Sequence, residues 1–129
     1  MKLYRVMKID VDGKPMVGTR RNMLGVRPTD PNNTIPNRKF DVDAVSGSDL
    51  VVPGKLKGLS VSTSTERLFP APGEAVWQIE ENELAPELLP CPAGPPHHIL
   101  EPVRVINLDD YQGLLLATQD LWELVNEEG

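Results

Sequence analysis

The sequence has one cysteine, Cys91, in 129 residues, so an internal disulfide framework is excluded and a reducing compartment suits it. It has no apolar run near the length that crosses a bilayer, and Met1-Lys2-Leu3-Tyr4-Arg5 carries no apolar signal-peptide core. The expectation is a chain made in the cytoplasm, exported if at all by another route, with no membrane insertion. Cations are scarce in the second half. Residues 65–129 hold 2 Lys/Arg against 13 Asp/Glu, whereas residues 1–64 hold 11 against 6. The net charge of −6 argues against non-specific nucleic-acid binding by the whole surface. The basic half could still supply a local anion site, or simply attract the acidic half within one fold.

What is present in quantity is proline and glycine, 13 and 10 residues, which implies many turns and short elements rather than a helical bundle. A chain of this length makes one domain, residues 1–129, with a real core. Its organising stretch is Lys57-Gly58-Leu59-Ser60-Val61-Ser62-Thr63-Ser64. As a strand it places Leu59, Val61 and Thr63 on one face and Ser60, Ser62 and Ser64 on the other. Three hydroxyls in a row face water or a ligand. Gly58 before them lets a backbone or a ligand come close.

Leu3 to Ile9 alternates as a strand, with Arg5 among apolar residues on the inward face. A buried guanidinium must be paired or must bind an anion. Asp10 to Gly13 reads as a turn, Lys14 to Gly18 as a returning strand, and Leu24 to Arg27 as another, ended by Pro28. Residues 28–37 form a long loop. Lys39 to Asp43 and Leu50 to Val52 read as short strands, and the alternate spacing of Asp41 and Asp43 occurs in some metal sites but lacks the further acids of a calcium loop. Ala75 to Glu80 is a strand with Trp77 and Ile79 on one face. Glu81 to Leu89 gives a helical turn, and residues 90–96, with four prolines, are irregular. Cys91, His97 and His98 lack a fourth zinc ligand. His98 to Val105 is the last strand, where Pro102 marks an edge or a bulge. Asn107 or Asp109 caps a helix running to about Asn126, with Tyr111, Leu114, Leu115, Thr118, Leu121, Trp122 and Val125 as its inward stripe. The class that follows is α+β, with six to eight short, mostly antiparallel strands closed by a C-terminal helix.

Assembled in order, Leu3-Tyr4-Arg5, Asp12-Gly13, Leu24-Gly25-Val26-Arg27, Asp41-Val42, Val52-Pro53-Gly54 and Gly58-Leu59-Ser60-Val61 resemble a bacterial family of small toxins. The resemblance continues through Val76-Trp77-Gln78-Ile79-Glu80, the segment Leu84 to Pro90, His97, Glu101-Pro102 and Tyr111. That family is delivered by the type VI secretion system and has a fold like that of ADP-ribosyltransferases. The resemblance implies an enzyme that uses NAD as substrate and transfers ADP-ribose to a macromolecule in a target cell. It implies Arg5 at the phosphate or nicotinamide-ribose end, and Ser60 or Ser62 at the nicotinamide, with Ser64 as an outer candidate. Glu80 is the implied acid, and His97 an alternative member of the site. Such a carboxylate would stabilise positive charge building on the ribose. Gln78, two positions before Glu80, fits only one variant of the two-acid motif. The implied partners are a cognate immunity protein and secretion machinery. The other readings are a non-catalytic nucleotide- or protein-binding module, and an immunity or adaptor protein with an acidic docking face.

Overall fold

Alternation of apolar and polar residues in Lys2–Lys8 produces strand β1, with Leu3, Arg5 and Met7 buried and the residues between them half-buried or exposed. The computed structural model describes residues 1–28, 41–44 and 47–125. The further elements are β2 (Leu50–Val51), β3 (Leu59–Ser62), β4 (Glu74–Glu80), β5 (Leu88–Pro92), β6 (His97–Pro102), β7 (Ile106–Asn107), helix α1 (Leu108–Leu116) and β8 (Glu123–Leu124). Six strands form one antiparallel sheet in the order β5-β6-β3-β1-β4-β8, and β2 pairs with β7 in a separate ribbon. The class is α+β, as expected.

One face of the large sheet is the core. Leu3 and Met7 of β1, Leu59 and Val61 of β3, Trp77 and Ile79 of β4, Leu88 of β5 and Leu100 of β6 pack with Leu108, Tyr111 and Leu115 of α1 and with Trp122. Burial of these side chains is the main stabilising term, on the order of 2 kcal/mol each. Polar tips within the core find acceptors: Trp77 Nε1 donates to Met7 O, and the Tyr111 hydroxyl donates to Leu100 O while accepting from Leu59 N. Gly58 allows that last arrangement. Its φ is +151°, and a Cβ there would collide with Leu100 O and the Tyr111 hydroxyl.

Several sequence expectations are corrected. The helix ends at Leu116, well short of residue 126, which itself lies outside the described residues. Thr118 turns the chain, bonding Leu115 O through both its amide and its hydroxyl, and Trp122 Nε1 donates to Thr118 Oγ1. The chain then lays β8 on the outer edge of β4, with Leu124 opposite Trp77. Residues 90–96 are not wholly irregular, because Pro90 and Pro92 belong to β5. They are tolerated because β5 is an edge strand, where a missing N–H is not needed for a second ladder. The last strand is not 98–105: β6 stops at Pro102, and β7 and β8 follow. Lys14 to Gly18 and Leu24 to Arg27 make only isolated bridges, Ile9 with Pro15 and Val17 with Leu24. Of the strand expected at 39–43, residues 41–43 are a bend and 39–40 lie outside the described residues, as do residues 29–37 of the expected loop. Among the described residues, no helix is long and apolar enough to cross a membrane.

Candidate functional site

The serine stretch becomes β3, one of the two central strands of the sheet, with Leu59 and Val61 buried and Ser60 and Ser62 half-buried on the opposite face. Residues paired across an antiparallel ladder point to the same side. Ser62 is paired with His97 of β6 and with Tyr4 of β1, and Ser60 with Ile99. These side chains therefore share the open face, away from the helix. An open groove of about 210 Å³ lies there, lined by Tyr4, Arg5, Ser60, Ser62, Leu68 and His97, with Arg21 at its rim. No hydrogen bond or salt bridge to a described residue occupies the side chains of Tyr4, Arg21, Ser60 or His97.

Arg5 belongs to the core face, as its place among Leu3 and Met7 requires. The β1–β3 ladder registers only Tyr4 with Ser62, and the Arg5 guanidinium spans the gap where the strands part. Nη1 donates to Ser60 O, and Nη2 to Arg21 O and Met23 O, each at 2.9 Å. Its partners among the described residues are thus main-chain carbonyls, not a carboxylate of the acidic half, and the side chain also lines the groove. Burial pulls its pKa down to about 10, with Asp41 acting in the opposite direction. The ion remains charged at neutral pH. Its Nε is buried and has no acceptor among the described residues.

Ser64 and Glu80 are not brought into the groove. Ser62 Oγ donates to Ser64 O and accepts from Ser64 N, while Ser64 Oγ accepts from Glu66 N, so Ser64 serves the turn that follows β3. Glu80 shares the open face but is paired with Lys2, beyond β1. Two strand spacings, roughly 10 Å, separate its strand from that of Ser62. It lines a different hollow of about 160 Å³ with Lys2, Gln78, Glu83, Leu121 and Glu123. Its carboxylate accepts from the Glu83 amide and lies 3.7 Å from the N-terminal amine. Among the described residues, no carboxylate lines the serine groove.

A third hollow of about 290 Å³ adjoins the groove and shares Val6, Arg21 and Leu68 with it. Asn22, Arg67, Phe69, Ala71 and Glu74 complete its lining. Glu74 is held by Asn22 Nδ2 at 2.8 Å and by Ala71 N at 2.9 Å, and these bonds hold its carboxyl below the usual carboxylate range. Sequence reasoning missed Tyr4 and Arg21 as groove residues. The alternation of β1 places Tyr4 on the serine side, but nothing local places Arg21 there, because the tertiary bonds of Arg5 hold its loop.

The acids and soft ligands noted in the sequence are spent elsewhere. Asp41 makes a two-pronged salt bridge with Arg27, at 2.9 and 3.0 Å. Cys91 Sγ donates to Glu101 at 3.1 Å, and burial first, then this carboxylate, pushes the thiol up to about 11. Among the described residues, no three metal-ligating side chains come together. Comparison with family models, with curated proteins and with solved structures finds no match to the chain.

Proposed function

We propose that the protein is a toxin of ADP-ribosyltransferase-like kind that takes NAD on the open face of its sheet and acts on a macromolecule in a target cell. The resemblance adds an immunity protein and secretion machinery as partners. The observation that supports binding is the pairing of Ser62 with His97 beside Ser60, Tyr4 and Arg21 in one groove. This donor set suits a nucleotide. Hydroxyls and an imidazole can meet an amide and ribose hydroxyls, an aromatic ring can stack, and a guanidinium can meet a phosphate. At about 210 Å³, the groove is smaller than the ~300 Å³ or more that encloses a drug-sized ligand, so it suits one end of the dinucleotide.

Transfer needs more than binding. NAD supplies an ADP-ribosyl group whose bond to nicotinamide must break as that ring departs neutral, and a carboxylate would steady the sugar's growing charge. Among the described residues the groove lining contains none, and Glu80 lies in another hollow. That observation favours a second reading, nucleotide binding without turnover.

One titration separates them. NAD is titrated calorimetrically into the intact chain and into Ser62→Ala, His97→Ala and Glu80→Gln, and nicotinamide release is followed in parallel. Binding that weakens at least fivefold in Ser62→Ala and His97→Ala supports the groove. Release of nicotinamide that Glu80→Gln abolishes supports transfer, whereas binding without release selects the second reading. No heat with NAD at millimolar concentration sinks both.

A further inference from the structure

The hollow beside the serine groove has a composition that NAD binding does not require. Phe69 lines it while 83% exposed, the most exposed aromatic residue described, and Arg67 and Arg21 belong to the same lining. An aromatic side chain this open leaves its ring face free to stack on a planar partner. The loop that carries it is fixed at both ends. Leu68 N donates to Thr65 O, Ala71 N to Glu74 Oε1 and Glu74 N to Ala71 O, while Ile9 N holds Gly73 O. Pro70 and Pro72 stiffen the stretch between. The ring is therefore presented on a preorganised loop, which lowers the ordering entropy of binding.

Charge selects the partner. Arg21 and Arg67 make no salt bridge within the described residues, and Arg20 and Lys8 lie next to Arg21 and opposite Glu74 respectively. Among the described residues Glu74 is the one acid of the lining; it offsets one of the two guanidinium charges and leaves the other in excess, while Asn22 and Ala71 hold its oxygens. In a chain of net charge −6, this is a local cationic groove with an aromatic platform. Stacking on an exposed ring combined with guanidinium contacts to phosphate is the chemistry of single-stranded nucleic-acid binding. A duplex hides its base faces and would waste Phe69.

We infer that the hollow formed by Arg21, Arg67 and Phe69 binds single-stranded nucleic acid, one base stacking on Phe69 and the flanking phosphates meeting the two guanidinium groups. The site stands on its own geometry. Only the further step, that such a strand is the macromolecular acceptor, rests on the NAD reading, and the shared rim at Arg21 would then bring the strand beside the serine groove.

The test is fluorescence anisotropy of the full chain with a labelled mixed-sequence RNA of about 12 nucleotides, within the ~4–16 that single-strand sites span. The same sequence as DNA and as a duplex completes the set. The expected result is single-strand binding that weakens about tenfold in Phe69→Ala, is restored in Phe69→Trp, and exceeds binding to the duplex. Arg67→Ala should also flatten the dependence of log affinity on log salt by about 0.7. Ser62→Ala and His97→Ala should leave the oligonucleotide affinity unchanged while lowering that for NAD, so failure of one reading is distinguishable from failure of the other. Lack of binding at low salt overturns the inference, as does equal binding by Phe69→Ala or by the duplex. NAD affinity that falls in Phe69→Ala while no oligonucleotide binds overturns it too, and gives the hollow to the far end of the dinucleotide.

Discussion

Arg5 is the residue on which most of the groove's frame depends, because it holds backbone from three segments. Its guanidinium ties β1 to β3 through Ser60 O and ties the 21–23 loop to both through two further carbonyls. Arg5→Ala leaves those acceptors with no donor in a buried place, and a loss of about 3–5 kcal/mol is expected in urea unfolding. Arg5→Lys keeps the charge but not the fork, and should recover only part of that loss. An Arg5→Ala chain as stable as the parent would show that the clamp is not what holds the groove. Glu101 plays the matching part at the sheet's other side. Burial alone would raise its carboxyl, but Cys91 and the amides of Gly54, Leu56 and Lys55 outweigh it and hold it below the usual range. A depressed carboxyl contributes stability that is present above the unfolded value, about 4.3, and lost as pH falls through the lower folded value. Thermal melts at a series of pH values should therefore drop more steeply in acid for the parent than for Glu101→Gln, which has no such proton to gain. Parallel curves would contradict that assignment.

Among the elements, α1 is short because its termini are decided separately. Asn107 starts it, its side chain accepting from Asp110 N at 2.8 Å, with Asp109 and Asp110 at the positive end. Asn107→Ala should cost about 1 kcal/mol in thermal unfolding, and Asn107→Asp little or nothing. A neutral alanine replacement would mean that packing of Tyr111 and Leu115, not the cap, places the helix. The cap was legible in the sequence, and so was the stripe, since Tyr111, Leu115, Thr118 and Trp122 are all buried. The end was not legible. A stripe at spacings of three and four continues through Trp122, yet β4 has an outer edge to cover, and the chain leaves the helix to supply β8. β5 gives the converse case, where prolines that read as irregular are accommodated at a sheet edge.

Across the whole molecule, the two halves carry opposite charge, yet charge is not what joins them. The ion pairs that link them, Lys14 with Asp120 and the N-terminus with Glu80, are exposed on both sides and so worth little. Apolar burial between the sheet and α1 does the joining. Hydrogen exchange should accordingly be slowest in β1, β3 and β4, whose amides lie inside the six-stranded sheet, and fast in the β2–β7 ribbon with its exposed Leu50. Comparable protection in the ribbon would mean that the molecule opens only as one unit. Among the described residues, the open face of the sheet carries depressions of different character: a hydroxyl and imidazole groove, a cationic hollow beside it, and an acidic one at Glu80.

Residue order alone was enough for the α+β class, the inward face of β1 and the two faces of β3, because the strand faces follow from a period of two that any sheet must obey. It also required that Arg5 be buried and either be paired or bind an anion. The partners themselves come from the fold, because Ser60, Arg21 and Met23 are brought to Arg5 by strand order and loop closure, and neither is written in local spacing. The same holds for Ser62 and Glu80. Alternation alone puts both on polar faces, but strand order sets Ser62 opposite His97 and leaves Glu80 on the far side of β1.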